Sequence, residues 1–198
     1  VASAGKLIGT TSALQGAITN NATVEFNQST TGSYAGVMSG TGNLIKDGSG
    51  TVTLTATNTY TGGTTFTGGT ISVSDDANTG TGNWTFGGGS VNISTGFTTA
   101  KGITMTGEGA ISVASGQTMT HTGVVGGTGG ALTKSGAGTL NLAGTNIYTG
   151  GTVMNAGTVT VAADDNLGNA AGSLSFTGGT LGITTGFETA RTTSTSTS

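Results

Sequence analysis

The sequence predicts an all-β protein, a right-handed parallel β-helix of roughly ten coils. Two periodicities and a composition predict it. Residues 46–80 align with residues 134–168 at an offset of 88, with 18 of 35 positions identical, among them Lys46/Lys134, Leu54/Leu142, Asn58/Asn146 and the run Tyr60–Thr64. After a two-residue insertion the match resumes at an offset of 90, where NWTFGGGSVNISTGFTTAK faces SLSFTGGTLGITTGFETAR with nine of 19 identities. A third partial copy pairs AGVMSGTG from Ala35 with TGVVGGTG from Thr122. Such a fixed period dictates a repeat architecture.

The second periodicity lies inside the first. Apolar pairs separated by one residue fall at Val52/Leu54, Ile71/Val73, Val91/Ile93, Ile111/Val113, Leu140/Leu142, Val159/Val161 and Leu181/Ile183. One apolar residue in two is the mark of a strand with one buried face. Successive steps are 19, 20, 20, 29, 19 and 22 residues, the size of one coil of a β-helix. The 29-residue step holds QTMTHTGVV and GALTKSG, which read as further strand segments in a larger or irregular coil. A coil of this size cannot bury its own apolar face, so it stacks on its neighbours at about 4.8 Å per coil. Right-handed winding follows from the near-universal hand of parallel crossovers. The organisation expected is one β-helical region over 1–191, with a partial copy at 1–33, copies at 34–121 and 122–191, and a Thr/Ser tail at 192–198.

Composition agrees. Gly supplies 40 of 198 residues, yet there is no Pro and no collagen period. Gly permits the corner angles, and the lack of Pro leaves every strand N–H available to the ladder. Charged residues are 7% of the chain, and the five basic ones (Lys6, Lys46, Lys101, Lys134, Arg191) stand singly, so no phosphate-binding patch exists and no nucleic-acid partner is expected. No apolar run approaches the roughly 20 residues of a membrane span. Cys is absent, which excludes disulfides and thiolate metal sites. The chain opens at Val1 without an initiator Met or signal peptide, as a fragment or a processed chain would.

The stretches Asn20–Thr65 and GALTKSGAGTLNLAGTNIYTGGTVMNAGTVTV (Gly130–Val161), each carrying the YTGGT string, resemble the passenger repeat of bacterial autotransporters. That resemblance covers about Asn20 to Arg191. It implies an exported, surface-exposed, right-handed β-helical passenger from a Gram-negative organism, carried across the outer membrane by a C-terminal barrel.

Each candidate site also has a repeat-based explanation. His121, the single histidine, stands where Tyr34 stands at an offset of 87, which suggests a packed outer strand position rather than a general base. No Gly-x-Ser-x-Gly elbow supports a catalytic triad. The acids are Glu25, Asp47, Asp75, Asp76, Glu108, Asp164, Asp165 and Glu188. Only Asp75-Asp76 and Asp164-Asp165 are adjacent, each followed by an Asn (Asn78, Asn166). A Ca²⁺ loop is one reading; a turn in which Asp and Asn bond their own backbone is the other, favoured because the EF-hand and nonapeptide spacings are missing. Trp84 and Tyr60/Tyr148 are candidate glycan-stacking platforms, although Trp84 aligns with Leu174 and the tyrosines recur in equivalent corners. The Thr-x-Thr pattern is similar to that of ice-binding β-helices, but Asn141 replaces Thr53 in the second copy.

The sequence thus predicts a non-enzymatic stalk or adhesin segment at the bacterial surface, with no catalytic residue, metal or cofactor. Its expected partners are further repeats or copies stacked end to end, and surface glycans or proteins of a host or neighbouring cell. A glycan-binding or glycan-cleaving β-helix and an ice-binding array are the alternatives.

Overall fold

A computed structural model describes residues 1–195. Over the described residues the chain is all-β, without an α-helix, and its parallel strands stack as a β-solenoid of about 10 turns. Every strand pairing is between successive coils, with partners mostly 19 to 23 residues apart, as in Val52↔Ile71, Val91↔Ile111 and Gly109↔Leu132. Each coil passes three sides. Side 1 is a seven-stranded sheet running from Lys6–Gly9 to Val125–Gly126. Side 2 is a nine-stranded sheet from Gly32–Tyr34 to Thr193–Thr195. Side 3 begins as the pair Ile18–Thr19 and Met38–Ser39, continues through non-strand passes, and becomes a five-stranded sheet from Thr98–Thr99 to Thr180–Ile183.

Alternation does what the sequence demands. In Thr51–Leu54, Thr70–Val73 and Ser90–Ile93 the apolar residues point inward and are buried while the Thr, Ser and Asn between them face out. The interior is a set of vertical columns. In one of them the Phe66 and Phe86 rings stack at 4.6 Å, and Trp84, from the neighbouring column, lies edge-on to both. Such offset-stacked and edge-to-face contacts are the favoured aromatic geometries.

The register explains the 29-residue step. Between Gly32–Tyr34 and Thr118–His121 the chain makes eleven strand passes and two non-strand passes, at residues 55–63 and 74–83. Thirteen passes are four turns and one side. Each copy of the repeat is therefore rotated by one side relative to the one before. Thus Asn43–Asp47 lies on side 1 and its equivalent Leu132–Ser135 on side 2; Thr51–Leu54 lies on side 2 and its equivalent Thr139–Leu142 on side 3. The apolar pairs read from the sequence do not form one continuous column. Ile111 is stacked by Lys134, and Leu140 sits on Met119. No oversized coil is needed, because Thr118–His121 is an ordinary side-3 pass.

The last pairing, Leu174↔Thr193, extends the side-2 ladder into the stretch assigned to a Thr/Ser tail. Residues 196–198 of that tail lie outside the described residues.

Candidate functional site

The residues that could carry chemistry fall into buried positions and turns, and most recur in both copies. The YTGGT corner comes first. Tyr60 and Tyr148 are fully buried. Each hydroxyl meets the hydroxyl of the Thr four residues on: Tyr60 and Thr64 at 2.7 Å, Tyr148 and Thr152 at 2.6 Å. Burial holds the Tyr60 phenol far above its ordinary range and pushes Tyr148 up to about 12. Between them the chain passes so close to the coil beneath that a Cβ on Gly62 would lie 2.6 Å from the Gly42 carbonyl carbon. The corner motif is thus an internal brace, and neither ring is available to a sugar. Trp84 is also fully buried, with Nε1 donating to Thr79 Oγ1 at 2.9 Å.

The acidic turns follow. Residues Asp76–Thr79 and Asp164–Leu167 each form one 3₁₀ turn. Asn78 Oδ1 accepts from the backbone N–H of Ser74 and Asp75, both at 3.0 Å. Asn166 does the same for Ala162 and Ala163 at 3.0 and 2.9 Å. Asp75 caps its turn by accepting from Ala77 N–H. Asp76 and Asp164 pair with cations one coil further on. Lys101 Nζ contacts the Asp76 carboxylate and carbonyl. Arg191, at the aligned position, bonds both Asp164 carboxylate oxygens, at 2.9 and 3.1 Å. It also donates to the carbonyls of Asp164, Leu167, Gly168, Asn169 and Gly172. The Arg191 hydrogen bonds hold the Asp164 carboxyl below its ordinary value. Asp75-Asp76 and Asp164-Asp165 are therefore not equivalent as pairs. It is Asp76 and Asp164 that share a role.

Two buried lysines, unforeseen from the sequence, join these residues. Lys46 and Lys134 point into the rod and are fully buried. Their ammonium groups turn into the following corner, where Lys134 Nζ donates to the carbonyls of Ser135 (2.6 Å), Gly136 (2.8 Å) and Ala156 (3.2 Å). Lys46 repeats this with Asp47, Gly48 and Gly68. Desolvation lowers both, Lys134 to about 8. The corner needs glycine beside it: Gly157 has φ +66°, and a Cβ there would lie 2.3 Å from Gly138 O. The identity of Lys46 and Lys134 across copies was the signal, because an exposed Lys has no reason to recur in register.

His121 differs from expectation. It is fully buried and inward, not on the outer face, because Tyr34 at the equivalent place is itself an inward residue. Its Nε2 lies 2.8 Å from the Lys101 carbonyl. Desolvation lowers its pKa. No serine–histidine pairing is present among the hydrogen bonds of the described residues.

The outer face of side 2 presents Thr51/Thr53, Thr70/Ser72, Ser90/Asn92, Ala110/Ser112 and Thr133/Ser135 in two columns. Asn141 does not interrupt this array, since it lies on side 3; Asn92 and Ala110 do. Hydroxyls here bond along the ladder, as between Thr70 and Ser90 at 2.8 Å and from Asn92 to Ser72 at 3.0 Å. Among the described residues no group of three or more His, Asp or Glu is placed to hold a metal ion. No helix among the described residues is long and apolar enough to cross a membrane.

The two lysine corners and the two YTGGT braces sit inside windows that match a family model, the passenger-associated-transport-repeat, at residues 44–73 and 132–161. The chain carries the passenger-associated-transport repeat twice. Each passenger repeat spans the strand holding the buried lysine, the Tyr corner and the strand ending at Val73 or Val161. The chain is also similar to an adhesin autotransporter, BmaC, of Brucella suis biovar 1 (strain 1330), 52% identical over 60 residues. That match is 30% of this chain and 2% of the relative, so the chain spans a very small part of the relative's length. No solved structure matches the chain.

Proposed function

We propose that this chain is a shaft segment of a surface-exposed autotransporter passenger, with a structural or adhesive role rather than a catalytic one. One observation carries the reading: most of the side chains able to do chemistry are used to hold coil to coil. Lys46 and Lys134 close corners, Lys101 and Arg191 tie the acidic turns, Lys6 pairs with Glu25, and the aromatic residues Trp84, Tyr60 and Tyr148 are internal. Glycan chemistry on a β-helix needs paired carboxylates free to act on one face, as proton donor and base or nucleophile. The passenger repeats and the adhesin likeness favour the same role and a location at the outer surface of the cell.

The finer proposal is that such rods stack end to end. The first and last coils leave their apolar columns partly open: Leu7, stacked on Val24, is only half-buried, and Ile183, stacked on Val161, is 50% exposed. Their outer strands also carry unpaired backbone groups, which template further pairing. Continuation of the stack, by further repeats or by a second copy, covers both. Electron microscopy of the purified 198-residue chain tests this. Rods longer than the roughly 50 Å that ten coils give support stacking; a monodisperse population of single short rods at high concentration overturns it. A screen on acidic polysaccharides tests the non-enzymatic reading, which measurable chain cleavage would sink.

A further inference from the structure

Among the described residues, Nδ1 of His121 is a buried side-chain nitrogen with no hydrogen-bond partner. A carbonyl oxygen only accepts, so the Nε2 facing Lys101 O carries the ring hydrogen and Nδ1 presents a bare lone pair; the tautomer is assigned from this partner. In the ladder His121 lies between Thr99 and Leu142. The neighbouring strands Thr98–Thr99, Gly109–Val113, Val125–Gly126 and Thr139–Leu142 contain no ionisable residue. The charged groups facing this coil are Lys101 and its partner Asp76, while Lys134 on the following strand is turned into its own corner carbonyls. The position closes the first copy, where the repeat changes side. At the equivalent place, where that copy begins, Tyr34 donates its hydroxyl to Gly16 O at 2.6 Å and does not titrate in mild acid.

We propose that His121 makes the junction between the two copies an acid-sensitive joint. A proton on Nδ1 creates a second N–H donor and a net charge in an apolar column, with no acceptor in reach. Desolvation of the buried ring opposes that charge, while the bond to Lys101 O and the Asp76 carboxylate favour it; desolvation is the largest of the three and decides. Coils of a solenoid depend on their nearest neighbours, so the penalty falls on residues 98–125 and leaves distant coils closed. The sign is fixed by linkage: the folded histidine resists protonation, the opened one takes it near pH 6.5, and opening becomes easier as pH falls below that value, by up to about tenfold per pH unit.

Hydrogen exchange of the 198-residue chain at pH 7.5 and 5.0, corrected for the intrinsic rate, tests the joint. Peptides over 98–125 are expected to lose at least tenfold protection at pH 5.0, peptides over 44–73 to change little, and His121→Tyr to remove the difference. Where H121Y does not fold, H121Q, which keeps a donor for Lys101 O, takes its place. The single histidine also allows a direct NMR titration of the unmodified chain. The expected result is an Nε2–H tautomer with a midpoint below 6.5; a midpoint at or above 6.5, or equal acid loss in the variant, overturns the proposal.

Discussion

Replacing Lys134 by Met keeps the apolar stem and removes the ammonium that closes the corner at Ser135, Gly136 and Ala156. Each carbonyl left without its donor in a buried site costs about 1–3 kcal/mol. Relief of the ammonium's desolvation offsets part of that loss, and a net destabilisation of about 2 kcal/mol at pH 7.5 is expected. The same site gives a pH signature. The folded pKa is about 8, below the unfolded 10.5, so between these values the unfolded chain binds more protons and wild-type stability rises with pH. At about 1.36 kcal/mol per unit, the rise from Lys134 reaches about 2 kcal/mol by pH 9.5. The scan stops there because Tyr60 and Tyr148, whose folded pKa values are raised above 10, withdraw stability at higher pH. Urea unfolding at pH 7.5, 8.5 and 9.5 measures both effects. In Lys134→Met the midpoint is lower at pH 7.5, and its rise keeps only the Lys46 contribution. An unchanged midpoint with an undiminished rise refutes the reasoning.

Two further outcomes follow from the same packing. Arg191→Met leaves Asp164 without its partner and five carbonyls without a donor, so a loss of about 3–5 kcal/mol is expected in chemical denaturation; Asp164, whose pKa is lowered by that arginine, also withdraws stability as pH falls below its ordinary 3.8. Trp84→Ala opens a cavity beside Phe66 and Phe86 and costs about 3–5 kcal/mol, while in the wild type the single Trp emits at short wavelength and resists iodide quenching.

Much of this fold is legible in the residues, for a physical reason. A solenoid is nearly one-dimensional, so inward positions such as Ile71, Val91 and Ile111 repeat in sequence as they repeat in space. What is not legible is phase. Alignment reports that Leu54 and Leu142 are equivalent, but which side each faces depends on the number of passes between them, including the turns at 55–63 and 74–83 that carry no alternation. The same limit misplaced His121: its equivalence to Tyr34 is correct, yet an alignment does not tell inward from outward at a polar residue whose neighbours are Thr. Lys46 and Lys134 were hidden by their type, since a lysine is presumed exposed until a corner of carbonyls is found for it. The acidic turns were half legible. Asp-x-Asn, at Asp76–Asn78 and Asp164–Asn166, signals backbone capping, but the Lys101 and Arg191 partners lie 25 and 27 residues away on the next coil.

The change of side between copies is the claim on which the rest depends, and the absence of Cys makes it directly testable by paired cysteines. On side 2, Ser112 stands opposite Ser135, one strand spacing of about 4.8 Å away and within disulfide reach. A stack following the apolar steps alone would set Ser112 opposite Asn141. The pair Ser112→Cys with Ser135→Cys is expected to oxidise readily in the folded chain, and Ser112→Cys with Asn141→Cys to stay reduced. The reverse result contradicts the one-side rotation and the register built on it.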